Sequence, residues 1–335
     1  MGTGGIHSQA DEFWALANGC PKEQGLVSVV ACSDGCFRAG EQGVQAVLAT
    51  RDGKVEFIQF ADRVLAYVKS ALGYAAYYPL HPVALAHPVQ AVLMDLDGTT
   101  VRSEGFWINM LERTVRALRG DADFRFAPGD QPYVAGHSIS EHLQYCLRYC
   151  PGAGLDAARA CYHDQVRGAL RAIAEGDGSC MAFAPAPGLK AFLLGLKEMG
   201  VKVGLVTSGL YEKAWPEILS AFRAMGMGDP RDFYDAIITA GQSPRHREPG
   251  TLGELECKPH PWLYAETGRI GLGIDFAERN AVVGIEDSGA GVIALRLAGF
   301  PTIGLAGGNV VESGTRGLCQ YFCNSLGEAF EIIRG

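Results

Sequence analysis

Ala91–Thr100, AVLMDLDGTT, is an apolar run from Ala91 to Met94 that stops abruptly in two aspartates and a glycine. A run this short, and apolar throughout, fits a strand buried on both faces of a parallel sheet. Asp95 and Asp97 then fall just where the strand ends, the edge at which open α/β sheets bind ligands. Two carboxylates crowded there repel one another unless a cation or a shared proton compensates. A plain Asp-Gly turn after a core strand accounts for the same residues, so the rest of the chain has to decide.

Downstream, from Pro185-Ala186-Pro187-Gly188, helix and strand patterns alternate. Strands are expected over 201–206, 236–239, 281–285, 302–305 and 321–323, and helices over 189–199, 261–268, 290–298 and from Leu326. A further helix covers 212–225, with Pro216 delaying or bending its start. This alternation predicts an α/β fold, a Rossmann-like parallel sheet with helices on both faces. Between 102 and 180 only helical periodicity is present, over 103–119, 139–149 and 155–174, which predicts an all-helical insert. Upstream, residues 21–80 read as a small α+β module, after a polar, Gly-containing start that looks loosely ordered. Strands are expected over 26–31, 44–50 and 54–60, the last two joined by Arg51-Asp52-Gly53 as a hairpin. The spacing of Val64, Leu65, Val68, Ala71 and Leu72 predicts a helix over 62–78. The organisation expected is a module at 1–90, a core at 91–101 and 186–335, and a helical insert at 102–185.

Several core strands end in chemically capable residues: Asp95 and Asp97, then Thr207 and Ser208, then Glu286 and Asp287. A parallel sheet brings these ends to one edge. Four carboxylates there call for a hard cation, and oxygen ligands in this number suit Mg²⁺. Lys258, in Cys257-Lys258-Pro259-His260-Pro261, offers positive charge toward a phosphate, and Thr207 with the N–H groups after it offers donors. Each residue has a plainer explanation: Thr207 a strand end, Lys258 a solvated loop charge, Glu286-Asp287 a helix N-cap. Their arrival together, in order and at matching strand ends, is what favours a site.

With those residues in place, the chain from about Ala91 onward resembles the haloacid dehalogenase superfamily of phosphohydrolases. More narrowly it resembles the branch with a helical cap after the first core strand, which holds phosphoglycolate phosphatases and β-phosphoglucomutases. The carriers are DLDGT at Asp95–Thr99, LVTSG at Leu205–Gly209, KPHP at Lys258–Pro261 and GIEDSGAG at Gly284–Gly291. The resemblance implies that Asp95 is the nucleophile and carries an aspartyl-phosphate, with Asp97 the general acid and then base. It implies that Thr207 and Lys258 hold the phosphoryl group, with Gly98, Thr99, Ser208 and Gly209 around it. Mg²⁺ would be held by Asp95, the main-chain carbonyl of Asp97, and Asp287, with Glu286 direct or through water. The cap would hinge near Val101–Ser103 and Met181–Pro187 and close over the substrate.

The departures matter as well. Residues 1–90 have no counterpart in the ordinary family member, and the link 243–256 is longer than usual; it should lie near the active-site edge, where Arg245, His246 or Arg247 could touch an anionic substrate, although a solvated loop is the favoured expectation. The mutase subgroup carries a cap histidine where this chain has Trp107 and an arginine near Ile139, which weakens the mutase reading. His137 and Glu141 remain as cap candidates for substrate contact. The expectation is a Mg²⁺-dependent phosphatase of a small phosphorylated metabolite. A sugar phosphomutase stands as the alternative, and a binding or scaffold protein working through the N-terminal module as a third reading.

Bulk properties agree. The chain has 335 residues, 37 acidic against 29 basic, a formal net charge of −8, and 48% hydrophobic residues. That balance disfavours nucleic acid or an anionic membrane as the main partner. No run is long enough to span a bilayer, and residues 1–13 lack the basic and apolar regions of a secretory signal, so the expected location is cytoplasmic. The ten cysteines form no C-x-x-C pair and read as core thiols, with Cys146 and Cys150 on one helix face beside Leu143. Partners expected are the metabolite and, through the N-terminal module, a second copy of the chain.

Overall fold

The computed structural model describes residues 25–69, 75–130, 139–176, 183–239 and 256–335. Its first part is an antiparallel meander of β1 (Val27–Val29), β2 (Ala46–Ala49), β3 (Val55–Gln59), β4 (Val64–Val68) and β5 (Ala76–Pro79), neighbours in that order. The hairpin read at Arg51-Asp52-Gly53 joins β2 to β3. The helix expected over 62–78 is not formed: β4 and β5 pair antiparallel there instead. The reason is visible in β4, where Val64, Ala66 and Val68 are buried and Leu65 and Tyr67 half-buried. That is a period of two, and β-branched valines favour the pleated surface. The helical reading passed over Ala66, whose small apolar side chain completes the alternation.

The apolar run forms β6 (Ala91–Asp95), buried at every position. The chain then passes through β7 (Val101–Arg102), the helical insert and β8 (Ala184–Pro185), which pairs antiparallel with β7. It returns to build β9 (Lys202–Val206) and β10 (Ala236–Ile238) on one side of β6. β11 (Val282–Glu286), β12 (Thr302–Leu305) and β13 (Tyr321–Cys323) follow on the other side. All pairings in this six-stranded sheet are parallel. β6 therefore marks the point where strand order reverses, and the carboxyl ends of β9, β6 and β11 flank it. The α/β class and the parallel sheet expected from the sequence are what the structure has.

The chain divides into two compact units, residues 1–100, 186–211 and 231–335, and residues 101–185 and 212–230. In the second unit, helices Glu104–Arg119, Ile139–Cys146 and Leu155–Glu175 enclose Met110, Leu111, Val115, Leu143 and Tyr162. Cys146 and Cys150 are buried there as free thiols, as their spacing suggests. Helix Tyr211–Ala224 begins ahead of Pro216 and keeps it inside. No described helix is long and apolar enough to cross a membrane.

In the first unit one helix explains how the two sheets come to share a core. Gly289–Leu297 (GAGVIALRL) is buried nearly throughout. Ala294 and Leu295 pack with Ala91, Leu93 and Val282 of the parallel sheet. Val292, Ile293 and Leu297 pack with Val55, Phe57, Val64, Ala66 and Val68 of the meander. A helix that, apart from Arg296, carries only glycines and apolar side chains must be covered on both sides, and the N-terminal meander is the second cover. Phe57→Ala is thus expected to destabilise the unit by about 3–5 kcal/mol, read as a lower urea midpoint. A loss below about 0.5 kcal/mol, the range of an ordinary surface substitution, would show that the meander is not part of that core.

Candidate active site

Asp95 ends β6, Thr207 and Ser208 follow β9, and Glu286 ends β11 with Asp287 next, so three adjacent strand ends supply the groups. Lys258 arrives on the turn before helix Trp262–Glu266. Its ammonium donates to Asp95 Oδ1 at 2.5 Å and to Glu286 Oε1 at 2.7 Å, from a side chain only 6% exposed. Its main-chain N–H donates to Ser208 Oγ at 3.2 Å, tying the β9 loop to the lysine turn. The bland reading of Lys258 as a solvated loop charge is thereby overturned.

Glu286 is engaged from every side. Oε1 also accepts from the Tyr264 hydroxyl at 2.6 Å, and Oε2 accepts from Ser288 N and Oγ at 3.1 and 2.9 Å. A carboxylate has about four lone-pair directions, and Lys258, Tyr264 and Ser288 supply four donors. Close backbone approach makes this possible: a Cβ at Gly291 would sit 1.7 Å from Glu286 Oε1. Asp287 accepts from Thr99 Oγ1 at 3.3 Å. Gly98, at φ 88°, lies against it, and a Cβ there would fall 2.1 Å from Asp287 Oδ2. The Asp-Gly turn is thus shaped to let the Asp287 carboxylate in, a demand only glycine meets. Thr100 Oγ1 donates to the carbonyl of Asp95 at 2.5 Å, and Gly209 N donates to Thr207 Oγ1 at 2.9 Å. Asp97 stands half-buried two residues beyond the end of β6.

The electrostatics follow from burial. Asp95, Glu286 and Asp287 are all buried, and each offers a carboxylate oxygen within 4.8 Å of the others. Burial first, and then the charge of Glu286, hold the Asp95 carboxyl well above its usual range, with Lys258 opposing. The same two causes push Asp287 up to about 7. Burial works against the charge of Lys258, but Asp95 and Glu286 outweigh it and hold the ammonium above its usual range. Three crowded carboxylates with one lysine leave an excess of negative charge that a cation would relieve. All the ligand atoms are hard oxygens, so the donor set fits Mg²⁺.

Asp95, Gly98, Thr99, Thr207, Ser208, Gly209, Lys258, Glu286 and Asp287 therefore converge in one unit, at one sheet edge. Glu141 lies in helix Ile139–Cys146. His137, the Met181 end of the hinge, and Arg245, His246 and Arg247 lie outside the described residues. Sequence reasoning missed Tyr264 and Ser288. Tyr264 sits in an apolar helix pattern, where a tyrosine reads as core, and Ser288 is absorbed by its role as N-cap of the next helix.

No curated protein sequence matches this chain. Solved structures do. A candidate β-phosphoglucomutase from Thermotoga maritima is 17% identical, with a TM-score of 0.52 over 73% of this chain and 98% of its own. A subfamily IA haloacid dehalogenase hydrolase from Geobacter sulfurreducens is 16% identical, with a TM-score of 0.51 over 75% and 100%. A candidate phosphatase from Clostridium difficile is 13% identical, with a TM-score of 0.54 over 73% and 98%. At such identities the likeness is one of fold. The family model for haloacid dehalogenase-like hydrolases matches residues 89–299, more than half of the chain, and that span contains Asp95, Thr207, Lys258, Glu286 and Asp287. The chain belongs to the haloacid dehalogenase-like hydrolase family.

Proposed function

We propose that this hydrolase is a Mg²⁺-dependent phosphatase of a small phosphorylated metabolite, working through an aspartyl-phosphate on Asp95. The observation that carries the reading is the buried Lys258 ammonium, held 2.5 Å from Asp95 Oδ1 and 2.7 Å from Glu286 Oε1. A lysine so placed leaves the other oxygen of Asp95 for attack and meets the incoming phosphoryl charge. Asp95 attacks phosphorus and forms a new P–O bond as the ester P–O bond breaks. Asp97 gives its proton to the departing alkoxide, then takes one from the water that attacks the same phosphorus. Inorganic phosphate leaves and the Asp95 carboxylate is restored. Thr207 and the N–H groups after it offer donors to the phosphoryl oxygens.

Asp95 and Asp287 are the carboxylates that would hold Mg²⁺ directly, because the lone pairs of Glu286 are already engaged. Bound Mg²⁺ supplies charge that shields the anionic nucleophile from an anionic ester. The direct test is phosphate release from a panel of monoesters, p-nitrophenyl phosphate included, with and without Mg²⁺. Absence of Mg²⁺-dependent turnover across the panel would sink the proposal.

A second expectation concerns stability. The folded pKa of Asp287, about 7, is raised above its unfolded value. Between about pH 4 and 7 the metal-free folded state thus binds more protons than the unfolded chain, and its stability falls as pH rises, by the order of a few kcal/mol. Mg²⁺ binds the deprotonated site, so its stabilisation is expected to grow from pH 5.5 to 8. At 100 times Kd it amounts to about 3 kcal/mol. Thermal melts with Mg²⁺ titrated at both pH values check this. A Mg²⁺ effect of equal size at both, or one retained in Asp287→Asn, contradicts it.

A further inference from the structure

The N-terminal meander lies outside the span matched by the family model, yet it contacts the turn that carries Lys258 and the loop beside Gly289. On β5, the Tyr78 hydroxyl shares a hydrogen bond of 2.8 Å with His260 Nδ1, across 182 residues of sequence. The Tyr78 ring also meets His260 and Trp262 edge-to-face, at centroid distances of 5.7 and 6.3 Å. His260 is 2% exposed, and its other ring nitrogen has no hydrogen-bond partner among the described residues. Tyr78 is therefore what orients this ring through a side-chain hydrogen bond.

His260 closes the turn that opens at Cys257, its N–H donating to the Cys257 carbonyl at 3.1 Å. Lys258 is the second residue of that turn. Its front end is tied to Ser208, its far end to Tyr78, and between them the ammonium reaches Asp95 and Glu286. A second contact set works on the other catalytic strand end. Arg51, in the β2–β3 hairpin, donates its N–H to the Ser313 carbonyl at 3.1 Å. Ser313 belongs to the loop whose Asn309 Oδ1 accepts from Gly289 N at 2.8 Å, the residue two beyond Asp287. The packing of Val55, Phe57 and Val64 on Val292 and Ile293 bears on the same helix.

We propose that the N-terminal meander is a working part of the catalytic unit: Tyr78 is a positioning residue that holds His260 and, through the 257–260 turn, sets the ammonium of Lys258 against Asp95. This rests on the phosphatase reading for its kinetic consequence but not for its structural one. Tyr78 does not touch the reacting atoms, so its removal should slow the chemical step without weakening ground-state binding. Loss of one hydrogen bond, transmitted to the placement of a charged group, predicts a kcat lowered about five- to tenfold.

The test compares Tyr78→Phe, which keeps the ring and loses only the hydroxyl, with Tyr77→Phe. Tyr77 is the neighbouring tyrosine, whose hydroxyl donates to Asp34 within the meander. Two measurements are made on the full chain: hydrogen exchange of the 257–262 segment, and kcat and KM for p-nitrophenyl phosphate with Mg²⁺. Tyr78→Phe should exchange faster in that segment and lose kcat with KM within about twofold, whereas Tyr77→Phe should match wild type in both. Wild-type exchange and wild-type kcat in Tyr78→Phe would overturn the proposal. So would equal losses in both tyrosine variants, because a general loosening of the meander would then explain them. If the wild type turns over no p-nitrophenyl phosphate, the phosphatase reading is what suffers; faster exchange confined to Tyr78→Phe still upholds the brace, and its absence removes it.

Discussion

Asp95→Asn is expected to lower kcat for p-nitrophenyl phosphate by roughly 10⁴-fold or more, with no loss of thermal stability. The amide is nearly isosteric, and its oxygen still accepts from Lys258, so the ion-paired frame around Glu286 persists. What disappears is the carboxylate proposed as the nucleophile. The stability half of this expectation separates a chemical role from a structural one. In the metal-free protein, burial first, and then the charges of Glu286 and Asp287, hold the Asp95 carboxyl far above the usual range. Removing one charge from such a cluster relieves repulsion, so the melting temperature should stay level or rise. A variant that is both inactive and unstable would point to misfolding, and one that keeps more than about a hundredth of the activity would remove Asp95 as nucleophile, since loss of such a group costs far more than that.

Lys258→Met should have the opposite signature. It removes the positive charge from between two buried carboxylates while keeping most of the side-chain volume. Breaking a buried pair in this way costs about 3–5 kcal/mol, because the partners are left uncompensated. The cost should shrink as pH falls, since carboxyls that lose their lysine protonate more readily, and it should shrink on adding Mg²⁺. The loss of transition-state stabilisation should lower kcat by about 10²–10³-fold. Urea denaturation at pH 8 and pH 5.5, beside steady-state rates, gives both numbers. Unchanged stability at pH 8 would mean that Lys258 does not carry the charge balance of the cluster.

The parts of the site that could be read without a structure are those whose information is local. A five-residue apolar strand ending in Asp-Leu-Asp-Gly declares both its burial and its edge, and the strands ending at Val206 and Glu286 do the same. Parallel pairing then forces their ends together, which is why Asp95, Thr207 and Glu286 could be assigned to one place. Lys258 was harder, since nothing local separates a buried, ion-paired lysine from a solvated one; only the order of the motifs singled it out. Tyr264 could not be found at all, because its hydroxyl matters only once Glu286 is known to face it at 2.6 Å. Strand β4 was misread because Val64, Leu65 and Val68 satisfy a helical spacing as well as a pleated one, and the choice fell to the partners on either side, β3 and β5.

Sequence alone determined the α/β class, the central strand Ala91–Asp95 and the acidic strand ends, because hydrophobic period and end chemistry are written within a few residues. It also held a clue to the larger architecture: apart from Arg296, GAGVIALRL carries only glycines and apolar side chains, and such a helix needs two neighbours. Which neighbours was decided only by the tertiary structure. The meander covers that helix from one side and the parallel sheet from the other, and the same docking brings Tyr78 to His260. Contacts between residues so far apart depend on how whole sheets stack, and no local pattern carries that geometry.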